Sequence, residues 1–174
     1  MSDESPILEF FDATAGEILD LPRDRTLFLF SIGPLEDHGR HLPLGTDILG
    51  ARALALETAR RLGVELPGWR AVLMPPLPGG IDSNTTRLAL TVRPHVVRDW
   101  LVDHCLGLSR HGFRYFAIVS GNRGPKQLTA MEEAGRLLTL RAGFFKTPKP
   151  RLISLSSGGV SAKTVWLAPF WPNP

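Results

Sequence analysis

Between Gly33 and Asp47 the chain reads Gly33-Pro34-Leu35-Glu36-Asp37-His38-Gly39-Arg40-His41-Leu42-Pro43-Leu44-Gly45-Thr46-Asp47, its richest polar cluster. In extended backbone, side chains two residues apart point the same way, so Glu36 and His38 can converge on one point while Asp37 faces elsewhere. Asp47 can then close the site. Carboxylates with an imidazole suit zinc, manganese or iron, and an aspartate with two oxygens can bridge a pair of ions. An ion held there would lower the pKa of its water toward ~7 and polarise a carbonyl, the two needs of amide hydrolysis. Spacing alone is equally compatible with a solvated loop in which Asp47 caps a helix and His38 and His41 lie at the surface.

These groups must be positioned by the elements around them. The apolar run 26–32 ends at Gly33-Pro34 and has the pattern of a strand buried on both faces. After Asp47, residues Leu49, Ala53, Leu56, Ala59 and Leu62 recur at helical spacing until Gly63, so Asp47 is expected at the cap of a helix. A polar loop over 33–46 joins the two. Further strands are expected over 70–74, 113–120 and 151–156, with helices over about 95–110 and 126–140. Leu88, Leu90 and Val92 suggest a short edge strand before Pro94, which suits the first turn of the next helix. Alternating strands and helices favour an α/β fold, a mainly parallel sheet covered by helices on both faces. The cluster then emerges beyond the carboxyl end of a strand, where such sheets place their ligands.

The 174 residues suit one domain. Residues 1–156 form the expected α/β unit, and 157–174, with Gly158-Gly159, Trp166, Phe170 and Trp171 but no periodicity, an irregular tail that must dock its aromatics. The net charge of +3 is small and the arginines are scattered, so nucleic acid is not an indicated partner. The acidic start Met1-Ser2-Asp3-Glu4 does not resemble a secretory signal, and no apolar run approaches the ~18 residues of a membrane span. The lone Cys105 fits a reducing compartment and a buried structural thiol, so the expected location is cytoplasmic.

The run Gly33 to Asp47 resembles the creatininase (creatinine amidohydrolase) signature Gly-x-x-Glu-x-His-Gly-x-His-Leu-Pro-Leu-x-Thr-Asp and matches every fixed position. Similarity continues through Met74-Pro75-Pro76-Leu77-Pro78-x-Gly80 and through Leu108-Ser109-Arg110-His111-Gly112-Phe113-Arg114 up to Ser120-Gly121. The resemblance covers about residues 7–156. It implies a creatininase-like α/β/α sandwich, often assembled as a ring of identical subunits, so a homo-oligomer is expected. By the same resemblance Glu36, His38 and Asp47 match three metal ligands, Asp47 being the bridging one of a two-metal centre, whereas His41 matches a position that is usually not a ligand.

The likeness breaks where the family has Asn-Gly-His-Gly-Gly-Asn and its histidine binds metal. Here the chain reads Ser120-Gly121-Asn122-Arg123-Gly124-Pro125, with Asn122 at the histidine position. An amide oxygen is a weak ligand for zinc, and Arg123 brings a positive charge toward any cation. No histidine follows His111 and no carboxylate residue follows Glu133, so the family's later acidic and histidine groups are not supplied. At most one divalent ion per chain (Zn, Mn or Fe) is therefore expected. Asn122, Arg123 and Ser83, the last in a loop resembling the family's substrate side, are the candidate substrate contacts. The expected function is a metal-dependent hydrolase cutting the C–N bond of a small cyclic amide or formamide-like substrate. Two alternatives stand beside it: a catalytically degenerate small-molecule binding protein or accessory subunit, and an enzyme of a specialised pathway with other chemistry in the same pocket.

Overall fold

The computed structural model describes residues 7–81, 88–144 and 151–156. Its main sheet is parallel throughout, in the order β1-β4-β2-β7-β8, from β1 (Ile7–Glu9), β2 (Thr26–Gly33), β4 (Arg70–Leu73), β7 (Tyr115–Ser120) and β8 (Arg151–Ser156). A short β5 (Leu77–Pro78) pairs with the carboxyl end of β2, Ile32 against Leu77 and Gly33 against Pro78. The apolar run at the sheet centre explains its position: every residue of β2 is buried, as a strand covered on both faces requires.

Side chains alternate between the two faces of β2. Leu27 and Leu29 face helix α2 (Thr46–Glu65), whereas Phe28, Phe30 and Ile32 face α3 (Pro94–Arg110) and α4 (Pro125–Phe144). Helices thus cover both faces, which is the α/β/α layering expected from the strand and helix alternation. The core on the α3 and α4 side is aromatic, with Phe28 edge-on to Phe113 at 4.9 Å between ring centroids. On the other side α2 touches the sheet through Ala51, Ala55 and Ala59, all fully buried. Of the expected row, Ala59 is in this core and Leu56 and Leu62 pack at its margin, whereas Leu49 is 60% exposed and Ala53 is exposed too, so the contact face of α2 is centred on the alanines. Residues four apart share a helix face, and small ones let the backbone lie close to the strands.

Several boundaries differ from the sequence reading. The cap of α2 is Gly45, with no side-chain cap bond, and Asp47 is an acidic residue within the first turn. There its charge still faces the positive end of the helix dipole. The segment around Leu88 is not an edge of the main sheet: β6 (Ala89–Leu90) pairs antiparallel with β3 (Leu35–Glu36) in a separate two-stranded sheet. The loop 33–46 therefore contains a strand. The helix α1 (Ala15–Asp20) was also not read, although Thr14 and Glu17 form a capping box, a signal carried by the Thr-x-x-Glu spacing. The aromatic tail 157–174 lies outside the described residues.

One buried polar side chain ties α4 to the approach of the site. Gln127 is fully buried, donates through Nε2 to Gly79 O at 3.2 Å and accepts from Ile81 N at 3.0 Å. Replacing it by alanine strands both backbone groups, and the expected loss of stability is about 2–4 kcal/mol, read from urea unfolding of the variant.

Candidate metal centre

The carboxyl ends of β2 and β7 lie level, with Ile32 opposite Ser120, and the ladder extends one step through Gly121 N donating to Ile32 O at 2.9 Å. From these neighbouring ends the chain departs in opposite directions. After β2 it runs to α2 on one face, and after β7 to α4 on the other. Such a divergence opens a crevice beyond the strands, the usual ligand position of an open parallel sheet.

Three side chains meet in that crevice. Glu36 sits on β3, 6% exposed, with its backbone N–H donating to Leu44 O at 3.0 Å and its neighbour Asp37 N donating to Leu88 O at 2.8 Å. These bonds to both flanks hold the short strand in place. The Asp37 carboxylate turns back to accept from Gly39 N at 2.9 Å, leaving the crevice to its neighbours. Gly39 has φ +83°, a turn conformation that side chains with a Cβ rarely adopt. His38 then places Nε2 at 3.3 Å from Asp47 Oδ1 and 3.8 Å from Glu36 Oε1. Ligand atoms from all three residues lie within 4.8 Å of one another.

The arrangement fits a divalent cation. Two ligands each ~2.1 Å from a tetrahedral ion stand about 3.4 Å apart, a separation bracketed by the two distances from His38. His38 Nε2 is also buried and makes no hydrogen bond, although two carboxylates face it. A buried nitrogen without a partner costs free energy, and an ion on its lone pair would remove that cost. His41 is exposed and stands outside the converging set.

Asp47 is held by backbone as well as side-chain contacts. A Cβ built on Gly121 would lie 2.0 Å from Asp47 O, and one on Gly33 would lie 3.0 Å from Asp47 C and Cβ. Glycine at these two positions lets both strand ends press against the first turn of α2. Burial raises the pKa of the Asp47 carboxyl above the ordinary carboxylate range; His38 pulls it down, the charge of Glu36 and a hydrogen bond that protonated Asp47 donates to it push it up, and the Asn122 side-chain amide lowers it. Two carboxyl groups share a hydrogen bond only when one carries a proton.

That shift has a definite sign in stability. Because the pKa is higher in the folded than in the unfolded chain, neutral Asp47 contributes stability that is fully present below the unfolded value. It is lost as pH rises through the raised folded value. Metal-free Asp47→Asn should therefore gain on the wild type as pH rises above about 4, in urea midpoints measured with chelator present. Equal pH dependence of the two proteins would contradict the placement of Asp47.

The other expected site residues are distributed unevenly. Asn122 is half-buried, its Oδ1 accepting from Gly124 N, whereas Arg123 is exposed on the same loop. Ser83 lies outside the described residues. Cys105, by contrast, is fully buried in the α3 core and burial pushes its thiol well above its ordinary pKa, as a structural thiol requires. The contributions of Gly33 and Gly121 were not read from the sequence. Glycine immediately after each central strand is the signal that was there.

Comparison with known proteins follows the same region. The family model for creatininase, creatinine amidohydrolase, matches residues 12–169. Among solved structures, one of creatinine amidohydrolase (creatininase) superposes with a TM-score of 0.74 at 19% identity, covering 86% of this chain and 57% of its own. A structure described as "Creatininase Mn" gives 0.74 at 20% identity, covering 86% and 58%, and a mutant creatininase of "Zn-Zn type" gives 0.69 at 21%, covering 88% and 58%. At these identities the likeness is one of fold, and the chain spans less than two thirds of those proteins. No curated protein matches the sequence.

Proposed function

The chain belongs to the creatininase family, and from that membership we propose that it is a metal-dependent hydrolase of a C–N bond in a small cyclic amide or formamide-like molecule, with Glu36, His38 and Asp47 holding one divalent ion. The observation that carries this reading is the buried His38 Nε2, which makes no hydrogen bond and faces two carboxylates at ligand spacing. Manganese and zinc are the cations that the similar creatininase structures name, and both accept this donor set.

When bound, the ion supplies an acidified water and polarisation of the scissile carbonyl. The chain's own residues do the rest. Glu36 and Asp47 bring carboxyl oxygens into a crevice with little solvent around Glu36, and His38 turns Nε2 toward both of them. Asp47 gives up any proton it holds when a cation arrives, so metal uptake releases protons and strengthens as pH rises. The net reaction adds hydroxyl to the carbonyl carbon and hydrogen to the nitrogen as the C–N bond breaks. The protein is also proposed to work as a homo-oligomer, since Leu42, Leu44, Leu49, Leu88 and Leu90 are all at least 42% exposed around the crevice loops.

Full-length protein stripped with chelator and reloaded with Mn(II) or Zn(II) should ring-open cyclic amides or cleave formamides. The stripped protein should not. A second reading is favoured by the replacement of the family's histidine by Asn122: a binding protein or accessory subunit that keeps the fold and the ion. Binding of such amides to loaded protein without any product would establish that reading and end the first.

A further inference from the structure

The ribbon of β3 and β6 carries two of the three converging side chains, Glu36 on β3 and His38 just beyond it. Ala89 stands opposite Glu36 and Leu90 opposite Leu35, so the base of the ribbon, next to the end of β2, is at Leu35 and Leu90. Two short strands do not hold themselves in place. Gly80 grips this base from both sides: it bridges Thr91 and accepts from Val92 N at 2.7 Å just after β6, and it lies against Pro34 just before β3. A Cβ on Gly80 would stand 2.1 Å from Pro34 Cβ and 2.5 Å from Pro34 Cα, so the approach requires glycine. Gly80 is in turn bracketed by one side chain. Gln127, fully buried on α4, donates through Nε2 to Gly79 O at 3.2 Å and accepts through Oε1 from Ile81 N at 3.0 Å. Gly79 and Gly80 are buried and Ile81 is 5% exposed, so solvent does not take over these bonds. A single planar amide with one donor and one acceptor side meets both needs. Asp47 is held separately, where Gly33 and Gly121 press against its backbone in the first turn of α2.

We propose that Gln127 is a positioning residue for the metal centre: by pinning residues 79–81 it fixes the base of the β3–β6 ribbon and so sets how far Glu36 and His38 stand from Asp47. This rests on the metal reading above. It makes α4, on the opposite face of the sheet from α2, part of what supports the site. Outer groups that orient a metal's ligands typically tune affinity by about 10–100-fold. Loss of global stability does not, as long as almost every molecule remains folded.

The test compares Gln127→Met, which removes both bonds at nearly constant volume, with Leu138→Ala, a core deletion about three turns further along α4. Both should lower the urea midpoint. Calorimetric Zn(II) titration of each full chain, where circular dichroism finds it folded, should give a Kd raised about 10–100-fold in Gln127→Met and within about twofold of the wild type in Leu138→Ala. In the metal-free proteins, nitrogen-edited NMR should find the backbone resonances of residues 35–38 moved in Gln127→Met and in place in Leu138→Ala. Wild-type affinity in Gln127→Met, equal losses in both variants, or unmoved resonances over 35–38 would overturn the proposal. Wild-type protein that takes up no Zn(II) sinks the metal reading itself, and the metal-free resonances then decide whether Gln127 holds the ribbon. Should Gln127→Met fail to fold, the wild type decides: Zn(II) is expected to move the Gln127 side-chain NH2 and Ile81 N–H resonances as the donor set contracts around it, and the proposal fails if both stay in place.

Discussion

Glu36→Gln and Asp47→Asn should each yield folded protein that retains no stoichiometric Mn(II) or Zn(II) and has lost at least about a thousandfold in kcat/KM for any amide the wild type cleaves, equivalent to about 4 kcal/mol of transition-state stabilisation. Both substitutions nearly conserve volume, so packing is not the cause of the loss. What changes is the donor: each removes the negative charge that draws a cation into a crevice where Glu36 is 6% exposed. Asp47→Asn also removes the group whose pKa burial raises, so its metal-free form should be at least as stable as the wild type near neutral pH. That combination separates a functional from a structural role. Elemental analysis after gel filtration reads the ion, and urea unfolding reads the fold. Wild-type metal content and wild-type rates in either variant would remove Glu36 and Asp47 from the site.

The second large effect concerns a residue with no side chain. In Gly121→Ala the new Cβ would lie 2.0 Å from Asp47 O, 2.5 Å from Asp47 C and 2.8 Å from Asp47 Cα, all backbone atoms that no rotamer change can move. Either α2 retreats from the strand ends or the 121–124 loop does, and the cost is about 3 kcal/mol, the upper part of the range for forcing extra atoms into packed structure. Metal affinity should fall with it, because the displaced backbone carries Asp47. Gly50→Ala is the matched control: nothing lies within 4 Å of its Cβ, and an alanine in the interior of α2 should stabilise by about 0.5–1 kcal/mol. Urea midpoints of the two variants read against the wild type test both statements. A neutral Gly121→Ala would show that the close approach of β7 to α2 is not required.

Strands and helices were legible to different degrees. The buried run at β2 and the runs at β4, β7 and β8 read directly as strands, because continuous apolar stretches of that length bounded by glycine or proline have few other solutions. Pro94 marked the first residue of α3. By contrast β1, β3 and β5, with three, two and two residues, are too short to show a period, and their pairing depends on partners far away in the chain. The face of α2 was legible only in part: Leu56, Ala59 and Leu62 pack on the core, whereas Leu49 is exposed. Leucine spacing dominates a hydrophobicity pattern, whereas the packing surface was decided by which residues allow helix and sheet to approach closely.

At the site, local spacing set the direction of side chains and contact between distant segments set everything else. Glu36 and His38 on one side of a short extended segment, Asp37 on the other, and an acidic residue in the next helix turn all follow from residue order between Gly33 and Asp47. The amide of Asn122 is a different matter. Its oxygen is turned by the Gly124 N–H, and its loop meets Asp47, far earlier in the chain, through Gly121 only because β2 and β7 are neighbours whose following helices leave on opposite faces. Backbone periodicity acts over a few residues, but which side chains meet at the crevice turns on placements of a few tenths of an ångström between elements joined only by packing.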